Sequence, residues 1–307
     1  MAETIAADLC IIGAGSAGLS VAAGAAQLGR KVVLVEKGEM GGDCLNYGCV
    51  PSKALIAAAE HAASIREART FGVGASEPEV DFAAVMDHVH SVIAAIAPHD
   101  SVERFEGFGV RVIRARAEFN GPRTVSAGDY VVEAKHFLIA TGSSPATPPI
   151  PGLAETPHFT NETIFANRVR PVHLIVIGGG PIGTELAQAH RRLGAAVTIV
   201  DGLTILNRED PEAVEIVRNR LVEEGVVLRE QVKIARVGKS AAGVAVTLDG
   251  GETIEGSHLL VAAGRRANLA GLGLEKAGVK LDGGKLVLDA RLRTTNKRIY
   301  AAGDAAG

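Results

Sequence analysis

Tryptophan is absent from this chain, and cysteine nearly so, with three in 307 residues. Without tryptophan, the chain itself has no strong fluorophore, and any strong fluorescence would come mostly from a bound group. Three cysteines are too few for the disulfide frameworks that staple small secreted domains. No apolar run approaches the roughly 20 residues that span a bilayer. The N-terminus has no basic-then-apolar leader pattern. An excess of either charge is missing as well: 32 Lys and Arg stand against 35 Asp and Glu, a net charge of −3 mixed along the chain. That leaves no basic stripe for nucleic acid. The expectation is a cytoplasmic protein of two domains, with no nucleic-acid partner, no membrane partner and no metal site.

Glycine is plentiful, 37 of 307 residues, well above the usual ~7%. Several of these glycines surround two cysteines that stand five positions apart, in Gly41-Gly42-Asp43-Cys44-Leu45-Asn46-Tyr47-Gly48-Cys49-Val50-Pro51-Ser52-Lys53. On a regular helix, positions i and i+5 are separated by about 7.5 Å of rise and point apart. A disulfide needs Cα atoms within roughly 7 Å and converging Cβ vectors. A bridging pair therefore needs a break in the helix, which Gly48 and Pro51 supply. Cys49 then falls at a helix N-terminus, where the dipole favours a thiolate. The stretch reads as a redox-active dithiol set against a flavin. Two inert buried cysteines would leave the glycines and Lys53 without a task. Cys10, in Leu9-Cys10-Ile11-Ile12, reads as a small buried hydrophobe.

The other glycines mark two copies of one unit. Asp8 to Ile12 is an apolar strand, Gly13-Ala14-Gly15-Ser16-Ala17-Gly18 a turn, a helix runs to Leu28, and the strand Lys31 to Val35 ends in Glu36. The first glycine makes the turn, the second lets backbone approach a pyrophosphate, the third packs helix on strand, and the acid takes a ribose hydroxyl. At one constant offset the pattern recurs: Leu174 to Ile177, Gly178-Gly179-Gly180-Pro181-Ile182-Gly183, a helix to Leu193, and Val197 to Val200 ending in Asp201. Two dinucleotides are expected. A flavin exchanges electrons with a dithiol more readily than a nicotinamide does, so the first unit, next to the cysteines, takes FAD and the second NAD(P)H. Asp201 repels a 2′-phosphate and favours NAD(H) over NADP(H).

A proline-rich crossing, Ser143 to Gly152, follows the strand end Ala140-Thr141-Gly142; Leu259 to Arg265 closes the second unit in the same way, and Ile299 to Asp304 returns as a further strand ending in Gly303-Asp304. The predicted fold is α/β, with two Rossmann-like dinucleotide-binding domains, the second inserted in the first. Residues 1–147 form the FAD-binding domain with the dithiol, 148–268 the NAD(P)H-binding domain, and 269–307 return to the first. Helical segments around Ser52 to Arg69 and Phe82 to Phe105 are assigned to the first domain. The candidate cofactor-binding residues are Gly13, Gly15, Ser16, Ala17, Gly18, Glu36, Lys37, Gly42, Asp43, Ala140, Thr141, Gly142, Ser143, Gly303 and Asp304 for FAD. For the nicotinamide nucleotide they are Gly178, Gly180, Pro181, Ile182, Gly183, Asp201, Gly264 and Arg265.

GGDCLNYGCVPSK, the two GxGxxG turns, PPIPG and the terminal YAAGDAAG together resemble the flavoprotein (pyridine nucleotide-) disulfide oxidoreductases. The resemblance covers essentially the whole chain and is nearest to the dihydrolipoyl dehydrogenase and mercuric reductase branch. It implies that Cys49 is the flavin-proximal charge-transfer thiol and Cys44 the outer thiol that exchanges with substrate. It implies that Lys53 and Glu185 form the family's ion pair beside the flavin, that Glu36 binds the adenosine ribose, and that Asp304 binds the ribityl chain. The implied activity is FAD-dependent NAD(P)H:disulfide (dithiol) oxidoreduction, with a small-molecule or protein-bound disulfide or dithiol as substrate.

Two departures stand out. The family commonly has threonine where this chain has Asp43, and a carboxylate beside Cys44 discourages anionic substrates. Family members also continue past the equivalent of Gly307 into a dimerisation domain that supplies an acid–base histidine. None of the nine histidines here lies in a matching motif, and His99 and His190 read as surface residues. The expectation is a homodimeric parent of which this chain is a fragment, one that need not dimerise. Two other readings stay open: a truncated FAD/NAD-binding module without disulfide turnover, and a flavin diaphorase or NADH oxidase whose cysteines stand outside the electron path. Within the family, mercuric ion is an alternative substrate.

Overall fold

The computed structural model describes residues 2–307. Internal packing divides the chain into two units. The first consists of the segment ending at Asn46 together with Ile93–Ser144 and Arg266–Gly307; the second consists of Tyr47–Val92 and Pro145–Arg265. Seven α-helices occur among the described residues: α1 (Ser16–Gln27), α2 (Gly42–Asn46), α3 (Cys49–Glu67), α4 (Phe82–Ile96), α5 (Val102–Gly107), α6 (Pro181–Arg192) and α7 (Pro211–Glu223). None of them is long and apolar enough to cross a membrane.

The first unit is built on a sheet whose parallel strands lie in the order Arg111–Arg114, Val32–Glu36, Glu3–Ile12, Tyr130–Ile139, with Ile299–Ala301 added alongside the end of Tyr130–Ile139. An antiparallel hairpin, Ala117–Gly121 and Thr124–Ala127, pairs with the start of that last long strand. Both faces of the parallel strands are covered, so the strands are nearly continuous apolar runs rather than alternating ones. Cys10, Ile12, Val33, Val35, Phe137 and Ile139 pack on one face, and Ile11, Leu34 and Leu138 on the other. Burial in this core pushes the Cys10 thiol up to about 12, as expected of an inert, hydrophobe-like cysteine.

The second unit repeats the order. Its parallel strands run Val226–Arg229, Ala196–Val200, His173–Ile177, His258–Val261. A three-stranded antiparallel sheet, Ile234–Ser240, Gly243–Leu248 and Thr253–Gly256, intervenes in the chain before the returning strand. In each unit the first strand is central, the second and third lie to one side, and the strand that follows the antiparallel excursion lies on the other. Ligands in such open sheets bind outside the carboxyl ends of the strands.

Two sequence expectations differ from the structure. The helices after Cys49, assigned above to the first domain, pack with the second: α3 lies on α6, with Ala59, Ala62 and Ala63 buried on its inner side. Alanine permits close approach, and the charged residues of α3 find partners in the second unit. The expected helix from Phe82 to Phe105 is also interrupted. It ends at Ile96, and a 3₁₀ turn at Ala97–Asp100 contains Pro98. Proline cannot donate to a helical ladder. Ser101 then caps α5, its hydroxyl accepting the Arg104 N–H at 3.2 Å.

Candidate functional site

The two glycine turns are copies down to single hydrogen bonds. In the first, Glu36 accepts the Ala14 N–H at 2.6 Å and the Gly38 N–H at 2.7 Å. In the second, Asp201 accepts the Gly179 N–H at 2.6 Å and the Leu203 N–H at 2.7 Å. Gly13 has φ 108° and Gly178 φ 104°, values that an L side chain rarely adopts. A methyl group on Gly18 would stand 1.8 Å from the Gly13 carbonyl oxygen, and one on Gly183 would stand 1.9 Å from that of Gly178. The third glycine of each turn is thus fixed by helix-on-strand packing. Gly15 and Gly180 are the N-caps of α1 and α6, so each turn aims a helix N-terminus and its unpaired N–H groups outward.

Each turn borders a cavity. In the first unit, about 240 Å³ lies beside Gly13, Glu36, Lys37 and Thr141, and Arg116 and Asn268 line it too. In the second, about 780 Å³ lies beside Gly178, Gly180, Pro181, Ile182 and Asp201, and Gly264 and Arg265 line it too. The remaining candidates of the first unit gather around its turn. Ala140 donates its N–H to Ile12 O at 2.8 Å. A methyl group on Gly303 would stand 3.1 Å from Ala17 Cβ, which sets Gly303 and Asp304 against the Ser16-Ala17 turn. Ser143 donates its hydroxyl to Asp304 Oδ2 at 2.5 Å. Gly142 has φ 67°.

The dithiol motif folds as two helices with a break between them. Met40 to Gly42 lies against the first glycine turn: Gly41 N–H donates to Ala14 O at 2.9 Å, and a methyl group on Gly42 would stand 2.7 Å from Gly15 Cα. That contact explains Gly42, while at Gly41, with φ 84°, a methyl group would stand 2.4 Å from Leu45 Cδ2. Cys44 sits on α2 with Asp43 in its first turn, and Asn46 Nδ2 ties the helix down on Met40 O and Gly42 O at 3.0 and 2.8 Å. Gly48 caps α3 with φ −119° and ψ −115°, neither helical nor extended, and Cys49 is the first residue of α3. Cys10 is buried, Cys44 half-buried and Cys49 exposed. One turn beyond Cys49, Lys53 Nζ lies 2.8 Å from both Glu185 carboxylate oxygens, joining α3 to α6.

Residues 7–307 match the family described as pyridine nucleotide-disulphide oxidoreductase. The chain belongs to this family. The mercuric reductase of Streptomyces lividans is 40% identical over 307 residues, covering 97% of the chain and 65% of that protein. The dihydrolipoyl dehydrogenase of Thermus scotoductus is 38% identical over 315 residues, covering 97% and 66%. Among solved structures, LpdA of Mycobacterium tuberculosis superposes with a TM-score of 0.88 at 32% identity, over 98% of this chain and 68% of that one. The chain therefore spans about two thirds of the length of these relatives.

Membership of the pyridine nucleotide-disulphide oxidoreductase family implies FAD and a pyridine nucleotide, and the residues present fit both. The Thr141 hydroxyl is buried beside the first cavity with no hydrogen-bond partner among the described residues, the mark of a polar group whose partner is a ligand. A methyl group added to Gly15 would meet nothing nearer than Gly42 Cα at 3.8 Å, and one added to Gly180 would meet nothing within 4 Å. The second glycine of each turn thus leaves room for a phosphate.

Sequence reasoning missed several residues of these cavities. Arg116 follows the third parallel strand and Asn268 follows the crossing back from the second unit; Asn268 Nδ2 donates to Thr141 O at 3.1 Å. Lys233 and Asn207 line the larger cavity. The signal for Arg116 was the apolar strand before it, which alternation alone does not locate. His190 was misread as a surface residue. It is fully buried, its ring 5.8 Å from that of Phe82, and its Nδ1 donates to Leu186 O at 2.8 Å. It shares the inner stripe of α6 with Gly183, Leu186 and Ala187, and burial pushes its pKa down to about 4.

Proposed function

We propose that this chain forms the nucleotide-binding and thiol-bearing part of an FAD-dependent NAD(P)H:disulfide oxidoreductase with a preference for NAD(H). In the overall reaction, NADH and a proton convert a disulfide to two thiols and NAD⁺, or the reverse. The observation that carries this reading is the Cys49 thiol at the N-terminus of α3, one turn before a lysine held by Glu185. FAD and the nicotinamide, when bound, supply the hydride and electron chemistry.

The chain's own residues supply position and charge. Gly13 to Gly18 and Gly178 to Gly183 present backbone N–H groups to two pyrophosphates. Glu36 and Asp201 keep free lone pairs for ribose hydroxyls after accepting two N–H groups each. Asp201 repels a 2′-phosphate. Cys49 gains from the positive end of α3, which favours the thiolate, and Cys44 is the thiol that exchanges with substrate. Asp304, Ser143 and Thr141 provide carboxylate and hydroxyl partners on the FAD side, Gly303 the turn that carries Asp304, and Arg265 a cation on the nicotinamide side. A cytoplasmic location, a homodimeric parent of which this chain need not itself dimerise, and the second dinucleotide unit inserted in the first belong to the same reading. The substrate is a small-molecule or protein-bound disulfide; identity to a mercuric reductase favours mercuric ion as the second candidate.

An anaerobic visible spectrum during NADH titration tests the reading. An oxidised-flavin spectrum that gains a long-wavelength thiolate-to-flavin band in the wild type, and not in Cys49→Ser, supports it. Bleaching without that band, together with quinone reduction unaffected by Cys44→Ser, replaces it with a diaphorase whose thiols lie off the electron path.

A further inference from the structure

Lys53, Glu60 and Glu67 stand at heptad spacing along α3, and each has an ion-pair partner: Glu185, Arg192 and Arg220 respectively. A heptad drifts by only ~20° around a straight helix, so the three side chains form one stripe about 21 Å long. Their partners on α6 keep the same interval. Lys53 to Glu185 and Glu60 to Arg192 each span 132 residues of sequence. The two helices therefore advance in parallel, and the pairs are two rungs of one seam.

The rungs have opposite polarity. At the first the cation is on α3, and at the second it is on α6. A two-turn slip in either direction would set Lys53 against Arg192 or Glu60 against Glu185, like charge on like. The seam admits one register, as reversed charges do in coiled coils.

Arg192 is the anchor of the seam. Its side chain is 13% exposed. Its Nε donates to both Glu224 oxygens at 3.1 and 3.0 Å and its Nη2 to one of them at 2.7 Å, while Nη1 reaches Glu60. Glu224 is the C-cap residue of α7. The Arg192 carbonyl accepts Arg66 Nη1 at 2.6 Å, a second tie to α3. A bidentate, largely buried guanidinium is a rigid point of reference that an exposed lysine is not.

We infer that Arg192 is a positioning residue: through Glu60 it fixes the axial register of α3 on α6, and so sets Lys53 against Glu185 and the Cys49 thiol one turn before it. The inference rests on the site reading above, because that reading is what gives the place of Lys53 and Cys49 a consequence.

Competitive acetylation of the full chain with acetic anhydride, read at Lys53 relative to Lys135 by peptide mass spectrometry, tests it. An ammonium held by two carboxylate oxygens acylates slowly, so Glu185→Gln is expected to raise Lys53 labelling about two- to fivefold, the range set by an exposed ion pair. Glu60→Gln and Arg192→Gln are both expected to raise it as well, with Arg192→Lys restoring part of the protection. The Glu60→Gln/Glu185→Gln double variant is expected to go no further than Glu185→Gln alone. Through-space charge by itself would move Glu60→Gln and Arg192→Gln in opposite directions, since one loses an anion and the other a cation. Opposite directions, or no change in either while Glu185→Gln responds, overturns the inference. Should Arg192→Gln fail to fold with Glu224 left to Arg220 Nε at 2.6 Å, Glu60→Gln, on an exposed carboxylate, carries the test. The NADH titration above is independent: the expected labelling with no thiolate-to-flavin band overturns the site reading and leaves the register intact.

Discussion

The Ser143 hydroxyl donates to an Asp304 carboxylate oxygen at 2.5 Å, tying the loop after the strand Tyr130–Ile139 to the last turn of the chain. A carboxylate aimed by a short charge-assisted bond is held in one orientation. Ser143→Ala is expected to weaken FAD retention by about 1–2 kcal/mol, read as a rise in the FAD dissociation constant with little change in the far-UV spectrum. An unchanged constant would remove Asp304 from the flavin site.

Asp201 braces two N–H groups of the second turn. Asp201→Asn keeps one acceptor oxygen and loses the negative charge. The expected outcome is a higher KM for NADH, by about 1–2 kcal/mol, and a smaller ratio between NADPH and NADH. Steady-state kinetics with both nucleotides would check it; a ratio that stays constant would mean that Asp201 does not discriminate.

The glycines of α1 separate into two kinds. A methyl group on Gly18 would stand 1.8 Å from Gly13 O, whereas Gly24 has nothing within 4 Å. Gly18→Ala is expected to cost more than about 3 kcal/mol or to prevent folding, since backbone has to move. Gly24→Ala is expected to stabilise by about 0.5–1 kcal/mol. Urea midpoints of the two variants should move in opposite directions.

His190 gives the fold an acid limit. Its Nδ1–H is committed to Leu186 O, and its Nε2 has no partner among the described residues. Burial pushes its pKa from 6.5 to about 4, with nearby His258 adding in the same direction. The unfolded chain takes up this proton near 6.5, so the contribution is complete above that pH and is lost as pH falls towards 4. Between pH 7.5 and 5 the loss is about 2 kcal/mol. His190→Leu is expected to flatten the pH dependence of the urea midpoint, and an unchanged slope would assign it to other groups.

Much of this was legible in the sequence because it depends on local chemistry. Gly13, Gly18, Gly178 and Gly183 are required by turns and close approaches within a few residues, and Glu36 and Asp201 follow them at a fixed interval. The break between Cys44 and Cys49 followed from helix geometry. The placement of α3 was not legible, because it depends on pairs far apart in the chain, Glu60 with Arg192 and Glu67 with Arg220. The burial of His190 was missed for a related reason: a histidine beside two arginines looks solvated until Phe82, from another part of the chain, covers it. Arg116 and Asn268 reach the first cavity through strand order, which periodicity does not specify.

Glu36 and Asp201 each hold a glycine turn through two N–H groups, and on the proposed reading the same carboxylate also takes a ribose hydroxyl, which limits how such a protein can be re-engineered. Changing Asp201 to accept a different nucleotide also removes the acceptor that holds the glycine turn in shape. A change of cofactor preference is therefore expected to arrive in steps, with a substitution that supplies a new acceptor for the Gly179 and Leu203 N–H groups preceding or accompanying the loss of the acid. Libraries that vary Asp201 alone should return mostly loosened binders, and those that vary it together with Leu203 and its neighbours should return switched ones.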